Sequence, residues 1–352
     1  MAPPTDPALQ QIAQLDRTSI DFHDQLDNAL HGQEYRECVP KLQDDDSVWL
    51  VNYLDEALGG PDHSASGKCL HELRTICGNK AILPASYTLA DDQINVDSPP
   101  FVQGVMHKGT LDGLDVCVKR VWVFAQGNPQ ATAKIFCQEV VIWKYLEHPN
   151  ILPLRGVTMN PLQLVSNWMP NGNLSDYIQN NPDADRLGLI SNIAEGLRYL
   201  HTRNVIHGNL KGLNVLVDDH ARARVADFGI AVAARNLNLI RPVTTQPLHA
   251  LRWSAPEVLK GEDLNKKSDI FSFAMVMIEV FTGAAPFNNV SDLAAGAAII
   301  RGERPTQPAH ASFTPDLKAL TENCWNDNPD SRPEMSEIAE VLANILHQQG
   351  SD

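Results

Sequence analysis

The chain has 352 residues, 43% of them hydrophobic and 20% charged, so it can bury a large core and is not expected to be disordered as a whole. Its formal net charge is −15, an acidic balance that repels nucleic acids and anionic membranes and excludes both as expected partners. The six cysteines form no C-x-x-C pair, no secretion signal is recognisable and no apolar run is long enough to span a bilayer. We therefore expect a cytoplasmic protein with reduced thiols.

Residues 1–92 carry 16 acidic and 6 basic side chains and are predicted to be helical. Apolar residues recur at helical spacing in SVWLVNYLDEAL and in KCLHELRTIC. Gly59 is predicted to end the first helix, and Gly78 to cap the second in the left-handed conformation. Three aspartates at 44–46 are interpreted as helix N-terminal charges in preference to a cation site. The region is either a brace packed on the rest of the chain or a set of acidic helices that docks a basic protein partner.

The stretch ILPASYTLADDQINVDSPP is predicted to be an extended linker, and the pattern changes after it. GLDVCVKRVWVF and LQLVSNWM favour strands on either side of a helix in ATAKIFCQEVVIWKYLEH. Long helical patterns dominate the remainder, as in KKSDIFSFAMVMIEVFTG. The sequence thus predicts an α+β fold with two lobes separated by a cleft: a small strand-rich lobe at residues 93–169 and a larger helical lobe at residues 170–347.

Five short motifs follow one another along these two lobes. Lys119 ends the strand VCVK, and Glu139 lies in the next helix. The loop HGNLKGLN, then DFG at 227–229 and APE at 255–257 complete the series. This order resembles the signature set of the protein kinases and is most similar to the tyrosine-kinase-like branch of Ser/Thr kinases. The resemblance covers residues 93–347.

The resemblance implies ATP and Mg²⁺ as cofactors and protein substrates or partners in signalling. In such a site Lys119 holds the α- and β-phosphates, and Glu139 holds Lys119 in place. The alternative for Lys119 is a surface lysine on an edge strand. Asp227 and Asn214 correspond to the two Mg²⁺ ligands, and Lys211 resembles the lysine that Ser/Thr kinases use on the transferred phosphate.

The resemblance also assigns residues around the adenine and over the phosphates. Ser166 corresponds to the gatekeeper, and Trp168 and Met169 belong to the hinge beside adenine. The glycine-rich loop is nearly absent, because SPPFVQGVMHKG offers only Gly104 where G-x-G-x-x-G is expected. Side chains then crowd the place where backbone amides approach phosphate, so we expect a weakened grip on the nucleotide.

Two further matches are architectural, and a third position departs from the family pattern. Glu257 and Arg332 resemble a buried ion pair that ties the APE segment to the late helices. Asp269, in KSDIFSF, resembles the aspartate that anchors the backbone of the catalytic loop. Gly208 stands where kinases have an arginine that receives the phosphate of the activation loop.

The most consequential departure is Asn209, which replaces the catalytic aspartate. An amide oxygen accepts a hydrogen bond from a substrate hydroxyl but cannot take up its proton. The preferred interpretation is a pseudokinase that binds Mg-ATP weakly and acts as a scaffold or allosteric partner. The alternatives are a slow but active Ser/Thr kinase, since the other charged groups are present, and a kinase-shaped module without nucleotide.

Overall fold

The computed structural model describes residues 2–59, 67–96, 106–121, 129–228 and 248–349. The chain divides into two compact units. Unit 1 comprises Met1–Tyr145 and Pro153–Asn167, and unit 2 comprises Leu146–Leu152 and Trp168–Asp352. A strand-rich part preceded by helices and followed by a helical part confirms the predicted α+β class. Within the described residues, no helix is both long and apolar enough to cross a membrane.

Unit 1 begins with the predicted helices. They are α1 Pro7–Ala13, α2 Phe22–His31, α3 Gln33–Cys38, α4 Asp44–Leu58 and α5 Gly67–Lys80. The three aspartates lie in the first turn of α4, as the helix N-terminal interpretation predicted. Asp46 is buried and accepts hydrogen bonds of 2.7 Å from the Thr5 N–H and the Thr5 hydroxyl. This carboxylate therefore ties the N-terminal segment to α4.

The segment after α5 is packed against the sheet of unit 1. It contains short 3-10 turns and strand β1, Ile94–Asn95. The Leu89 N–H donates to the Val157 carbonyl at 2.8 Å, and Leu89 and Ile94 pack on the buried core of the sheet. A Cβ at Gly156 would lie 2.7 Å from the side chain of Leu89, so glycine allows this close approach. The expectation of a mere linker is wrong here, because these apolar side chains cover one end of the sheet core.

The sheet of unit 1 has five strands in the order β1-β2-β3-β5-β4, with every pairing antiparallel. The further strands are β2 Met106–Leu111, β3 Leu114–Arg120, β4 Leu154–Met159 and β5 Leu162–Asn167. Asp112 and Gly113 join β2 to β3 with φ of 52° and 78°, the backbone that a two-residue hairpin turn requires. In the strand order of this sheet, β3 is the central strand.

Helix α6, Pro129–Tyr145, packs along α5. Gly78 lies inside α5 and not beyond its end, and the left-handed residue that follows the helix is Ala81, with φ of 55°. The prediction of a glycine cap at Gly78 is therefore wrong. A Cβ at Gly78 would lie 2.6 Å from Cδ of Gln138 on α6, so this glycine lets the two helices approach closely.

Unit 2 is built around one buried helix. The α-helices among its described residues are α7 Leu174–Asn180, α8 Arg186–Thr202, α9 Pro256–Leu259, α10 Lys266–Thr282, α11 Asp292–Ile300, α12 Pro315–Cys324 and α13 Met335–Gln349. Asn265 caps the start of α10, and Gly283, with φ of 72°, ends it. Thirteen of the 17 residues of α10 are buried, which explains its largely apolar sequence. A hairpin of β6, Val215–Val217, and β7, Ala223–Val225, precedes α9 in the chain.

Candidate functional site

The loop after α8 is held by one buried carboxylate. Asp269, in the first turn of α10, is 1% exposed. It accepts hydrogen bonds of 2.8 Å from the backbone N–H groups of His207 and Gly208, and its Oδ2 lies 2.9 Å from Nε2 of His201. Hydrogen bonds to an ionised acceptor are the strong ones in proteins, so this carboxylate fixes the loop. The prediction that Asp269 anchors the loop is confirmed.

Gly208 has φ of 73°, in the left-handed region. A residue with a Cβ pays about 1–2 kcal/mol for that backbone, and glycine does not. The position thus has a physical reason to accept glycine, and the loop has no cationic side chain at Gly208.

Asn209 follows, at the position predicted for the catalytic group. Its N–H donates to Nδ1 of His207 at 3.2 Å, and its carbonyl accepts from Nδ2 of Asn214 at 2.8 Å. The amide nitrogen of Asn214 thus donates a hydrogen bond within the loop, and its oxygen Oδ1 is the side-chain atom that can bind a cation. Amide and carboxylate oxygens are the ligands that Mg²⁺ prefers.

Asn214 and Asp227 lie at the same end of the β6–β7 hairpin. Val215 pairs with Val225, and the Ala226 N–H donates to the Asn214 carbonyl at 2.9 Å. The two predicted Mg²⁺ ligands therefore flank the open end of the hairpin, Asn214 just before β6 and Asp227 shortly after β7. Asp227 has φ of 56°, a rare conformation for a residue with a side chain, and such backbone clusters at functional sites.

The surroundings of Asp227 connect it to the loop. Burial holds the pKa of His207 below its usual value, and the charges of Asp269 and Asp227 oppose that shift. The ring of Phe228 packs edge-on against the His207 ring, with centroids 6.3 Å apart. Unit 2 thus brings the predicted residues of the catalytic loop and the DFG aspartate into one neighbourhood.

Lys211 is buried, and an acidic residue that the sequence analysis did not assign lies near it. Glu279, in α10, is 5% exposed and accepts hydrogen bonds from the Gly212 N–H at 3.0 Å and from Trp253 Nε1 at 2.8 Å. Burial raises the pKa of Glu279, while these hydrogen bonds and the charge of Lys211 oppose that rise. The one signal in the sequence was an acid inside an otherwise apolar helix.

Lys119 and Ser166 lie on neighbouring strands of unit 1. Lys119 is on β3, where it pairs with Met106 of β2 and Leu164 of β5. The edge-strand alternative for Lys119 is therefore wrong. Ser166 is buried on β5 and pairs with Cys117 of β3.

Glu139 lies on α6 and is buried, but the partner of its ion pair differs from the prediction. Its Oε1 lies 3.4 Å from Nη2 of Arg74, on α5. Burial raises the pKa of Glu139 to about 7, although the charge of Arg74 lowers it. The sequence predicted a pair with Lys119, and the pair that Glu139 makes in this structure is with Arg74. Arg74 lies on α5, before the sheet, and none of the kinase motifs includes this part of the chain.

The remaining predicted residues fall in three places. Trp168 and Met169 begin the second segment of unit 2, directly after the end of β5, and Met169 is buried. Gly104 lies outside the described residues. In unit 2, Arg332 binds Glu257 through two hydrogen bonds of 2.6 and 2.9 Å, with both side chains buried, which confirms the predicted ion pair.

Comparison with known proteins agrees with this arrangement. Residues 101–342 match the protein tyrosine and serine/threonine kinase family. The serine/threonine-protein kinases STY46 and STY17 of Arabidopsis thaliana are 32% and 33% identical to the chain over 256 residues, which is 71% of this chain and 43% and 44% of those proteins. A probable serine/threonine-protein kinase of Dictyostelium discoideum is 33% identical over 250 residues, 68% of this chain and 18% of that protein.

The aligned region spans less than half the length of each of these relatives. The family match covers well over half of the chain and includes the loop, the hairpin and the central strand described above. The chain therefore belongs to the protein tyrosine and serine/threonine kinase family.

Proposed function

We propose that this protein is a pseudokinase that binds Mg-ATP and in which transfer of phosphate to protein Ser or Thr is weakened or lost. The observation that carries the proposal is the loop of unit 2, where Asn209 stands beside an otherwise intact set of Lys211, Asn214 and Asp227. The protein then acts by contact, as a signalling scaffold or an allosteric partner.

The chemistry of Asn209 supports the loss. General-base help contributes about 10²–10⁴-fold to a rate, and an amide at neutral pH cannot supply it. The backbone of Asn209 is held on both sides, by His207 and by Asn214, so the loop keeps its shape without a carboxylate. Phosphoryl transfer depends mostly on positioning and charge neutralisation, so a residual rate is compatible with this loop.

The neighbouring residues support nucleotide binding. Asn214 and Asp227 flank the same end of the β6–β7 hairpin and offer two oxygen ligands of the kind that Mg²⁺ prefers. When bound, Mg²⁺ would bridge the β- and γ-phosphates of ATP and neutralise their charge. In unit 1, Lys119 is the cation assigned to the α- and β-phosphates. Glu139, the residue expected to hold Lys119, pairs with Arg74 in this structure, and this pairing supports weak binding.

A slow but active Ser/Thr kinase is the second candidate. Lys211 favours an active kinase, because a lysine at this position acts on the transferred phosphate in Ser/Thr kinases. Lys211 is buried in the loop, and its charge acts on Glu279. In this case Asn209 would orient the substrate hydroxyl by its hydrogen bond alone.

Two measurements separate these functions. A thermal-shift titration with Mg-ATP is expected to raise the melting temperature, since a ligand that binds only the native state stabilises it. A radiolabelled phosphate-transfer assay then compares the wild type with Asn209→Asp and Lys119→Ala. The pseudokinase is expected to show no transfer above the level of Lys119→Ala. Wild-type transfer that Lys119→Ala abolishes would establish the slow kinase instead, and no thermal shift at millimolar nucleotide would favour a module without nucleotide.

We further propose that the protein is cytoplasmic and that its acidic N-terminal helices dock a protein partner with a basic face. The excess of acidic side chains in residues 1–92 supports the charge of that partner. The packing of α5 on α6 supports the brace alternative as well, and a brace with an acidic outer surface can serve both roles.

A further inference from the structure

Two contacts between α5 and α6 lie close together along both helices. Arg74 and Gly78 are four residues apart on α5, so they lie on the same face. They meet Glu139 and Gln138, which are adjacent on α6: Arg74 by its ion pair and Gly78 by the close approach that a Cβ would block. Helix α6, which carries Glu139, is therefore contacted by a residue outside the kinase-family match, which begins at residue 101.

The ion pair itself has the geometry of an exchangeable contact. It consists of one contact, from Nη2 to Oε1, at 3.4 Å. Strong arginine–carboxylate pairs are bidentate, with N–O distances of about 2.7–2.9 Å. The Nε of Arg74 is buried without a hydrogen-bond partner, so the arginine is only partly satisfied where it lies. A second cation that offers Glu139 a better contact could thus replace it.

A nearby cation stabilises the ionised carboxylate of Glu139, because this side chain is buried. Its side chain is 10% exposed, against 38% for that of Arg74. A buried carboxylate without a partner is costly, so Glu139 remains ionised only while a cation compensates its burial. Arg74 provides that cation in this structure, and Lys119 is the other candidate in the same unit that the family assigns to Glu139.

We propose that Arg74 is a positioning residue by which the N-terminal helices restrain nucleotide binding: it holds Glu139 on the α5 side, and its release transfers Glu139 to Lys119 and tightens the binding of Mg-ATP. The proposal rests on the proposed nucleotide binding and adds its regulation. A partner that docks on the N-terminal helices and shifts α5 would act through this contact.

The test is calorimetric titration of the full chain with Mg-ATP. Arg74→Met keeps the aliphatic stem and removes the charge, and it is expected to lower the Kd by about five-fold or more, the lower end of typical coupling between sites. Arg74→Gln serves as the second variant if the methionine does not fold. Arg74→Lys restores the charge and is expected to return the Kd towards that of the wild type, which a purely structural role of the side chain would not do.

Arg17→Gln is the matched control. It breaks the Arg17–Glu56 ion pair of 2.6 Å, which joins the connection between α1 and α2 to α4, and neither residue lies on α6. Its Kd is expected to equal that of the wild type. In the Glu139→Gln background, Arg74→Met is expected to have no effect, because the carboxylate that the two cations exchange is gone.

The outcomes distinguish this inference from the proposed function. If the wild type binds Mg-ATP and Arg74→Met binds it equally or more weakly, the restraint by Arg74 is refuted and nucleotide binding stands. If only Arg74→Met binds, the restraint by Arg74 holds, and the proposed binding of Mg-ATP by the wild type is refuted. If none of the folded variants binds, both are refuted.

Discussion

Glu139 in unit 1 and Asp269 in unit 2 are both buried carboxylates on helices, and they differ in how many groups hold them. Asp269 accepts two backbone hydrogen bonds of 2.8 Å and contacts His201. Glu139 has one contact of 3.4 Å with Arg74. The same unit 2 also contains the bidentate Arg332–Glu257 pair. The loop after α8 is therefore held by several hydrogen bonds to one carboxylate, whereas Glu139 is held by a single long contact.

The largest effect is expected where the buried ion pair of unit 2 is broken from one side. Arg332→Met leaves the buried Glu257 without its cation, which should lower the free energy of unfolding by about 3–5 kcal/mol. Urea denaturation measures it. The control is Arg198→Met, which removes an exposed pair with Glu195 at 2.6 Å and should cost less than about 1 kcal/mol. Equal losses of unfolding free energy in the two variants would show that the buried Arg332–Glu257 pair contributes no more to stability than the exposed Arg198–Glu195 pair.

The pH dependence of stability tests how poorly the buried carboxylate of Glu139 is compensated. The pKa of Glu139 is about 7 in the folded protein and about 4.3 in an unfolded chain, so the folded state holds this proton more tightly. The penalty for ionising Glu139 is absent below about pH 4, grows as the pH rises through this window and is complete above about pH 7. Glu139→Gln removes the penalty.

The stability of Glu139→Gln relative to the wild type should thus rise by about 3 kcal/mol between pH 4 and pH 8, measured by denaturation at several pH values. Glu56→Gln, at an exposed glutamate of the N-terminal helices, is the control and should follow the wild-type profile. Parallel profiles for Glu139→Gln and the wild type would mean that Glu139 is satisfied as well as Asp269 is.

A charge-neutral change at Asp269 measures the strength of the loop anchor. Asp269→Asn keeps the shape but offers one acceptor oxygen to the two N–H groups of His207 and Gly208, so it should cost about 1.5–3 kcal/mol. Hydrogen exchange of these two amides should accelerate. Asp316→Asn, in the exposed first turn of α12, is the control. Unchanged exchange at residues 207 and 208 would contradict the anchor.

The smallest effect is expected at the glycine between α5 and α6. Gly78→Ala gains about 1 kcal/mol in helix propensity but places a Cβ against Gln138, so the two changes should oppose each other. In a Gln138→Ala background the clash is gone, and Gly78→Ala should then stabilise the protein. A double-mutant cycle by thermal denaturation should give a coupling of about 0.5–3 kcal/mol. Additive effects would mean that the helices are not in close contact at Gly78.

Local patterns predicted much of this molecule. The helix over SVWLVNYLDEAL, its acidic first turn and its end at Gly59 follow from periodicity and capping, and the structure contains them. The roles of Asp269 and of the Glu257–Arg332 pair followed from motif positions. The interpretation of Gly78 failed because a glycine near a helix end fits a cap and a close helix contact equally well in sequence.

The sequence by itself determined the family, the order of the charged motifs and the identity of the amide at 209, because these depend on which residues occur and at what spacing. Only the tertiary structure decided that Glu139 pairs with Arg74, 65 residues away, and that Glu279 holds Gly212 and Trp253. Hydrophobic periodicity states which face of a helix is buried, but it does not state which element covers that face. A charged group on such a face takes its partner from whatever packs there.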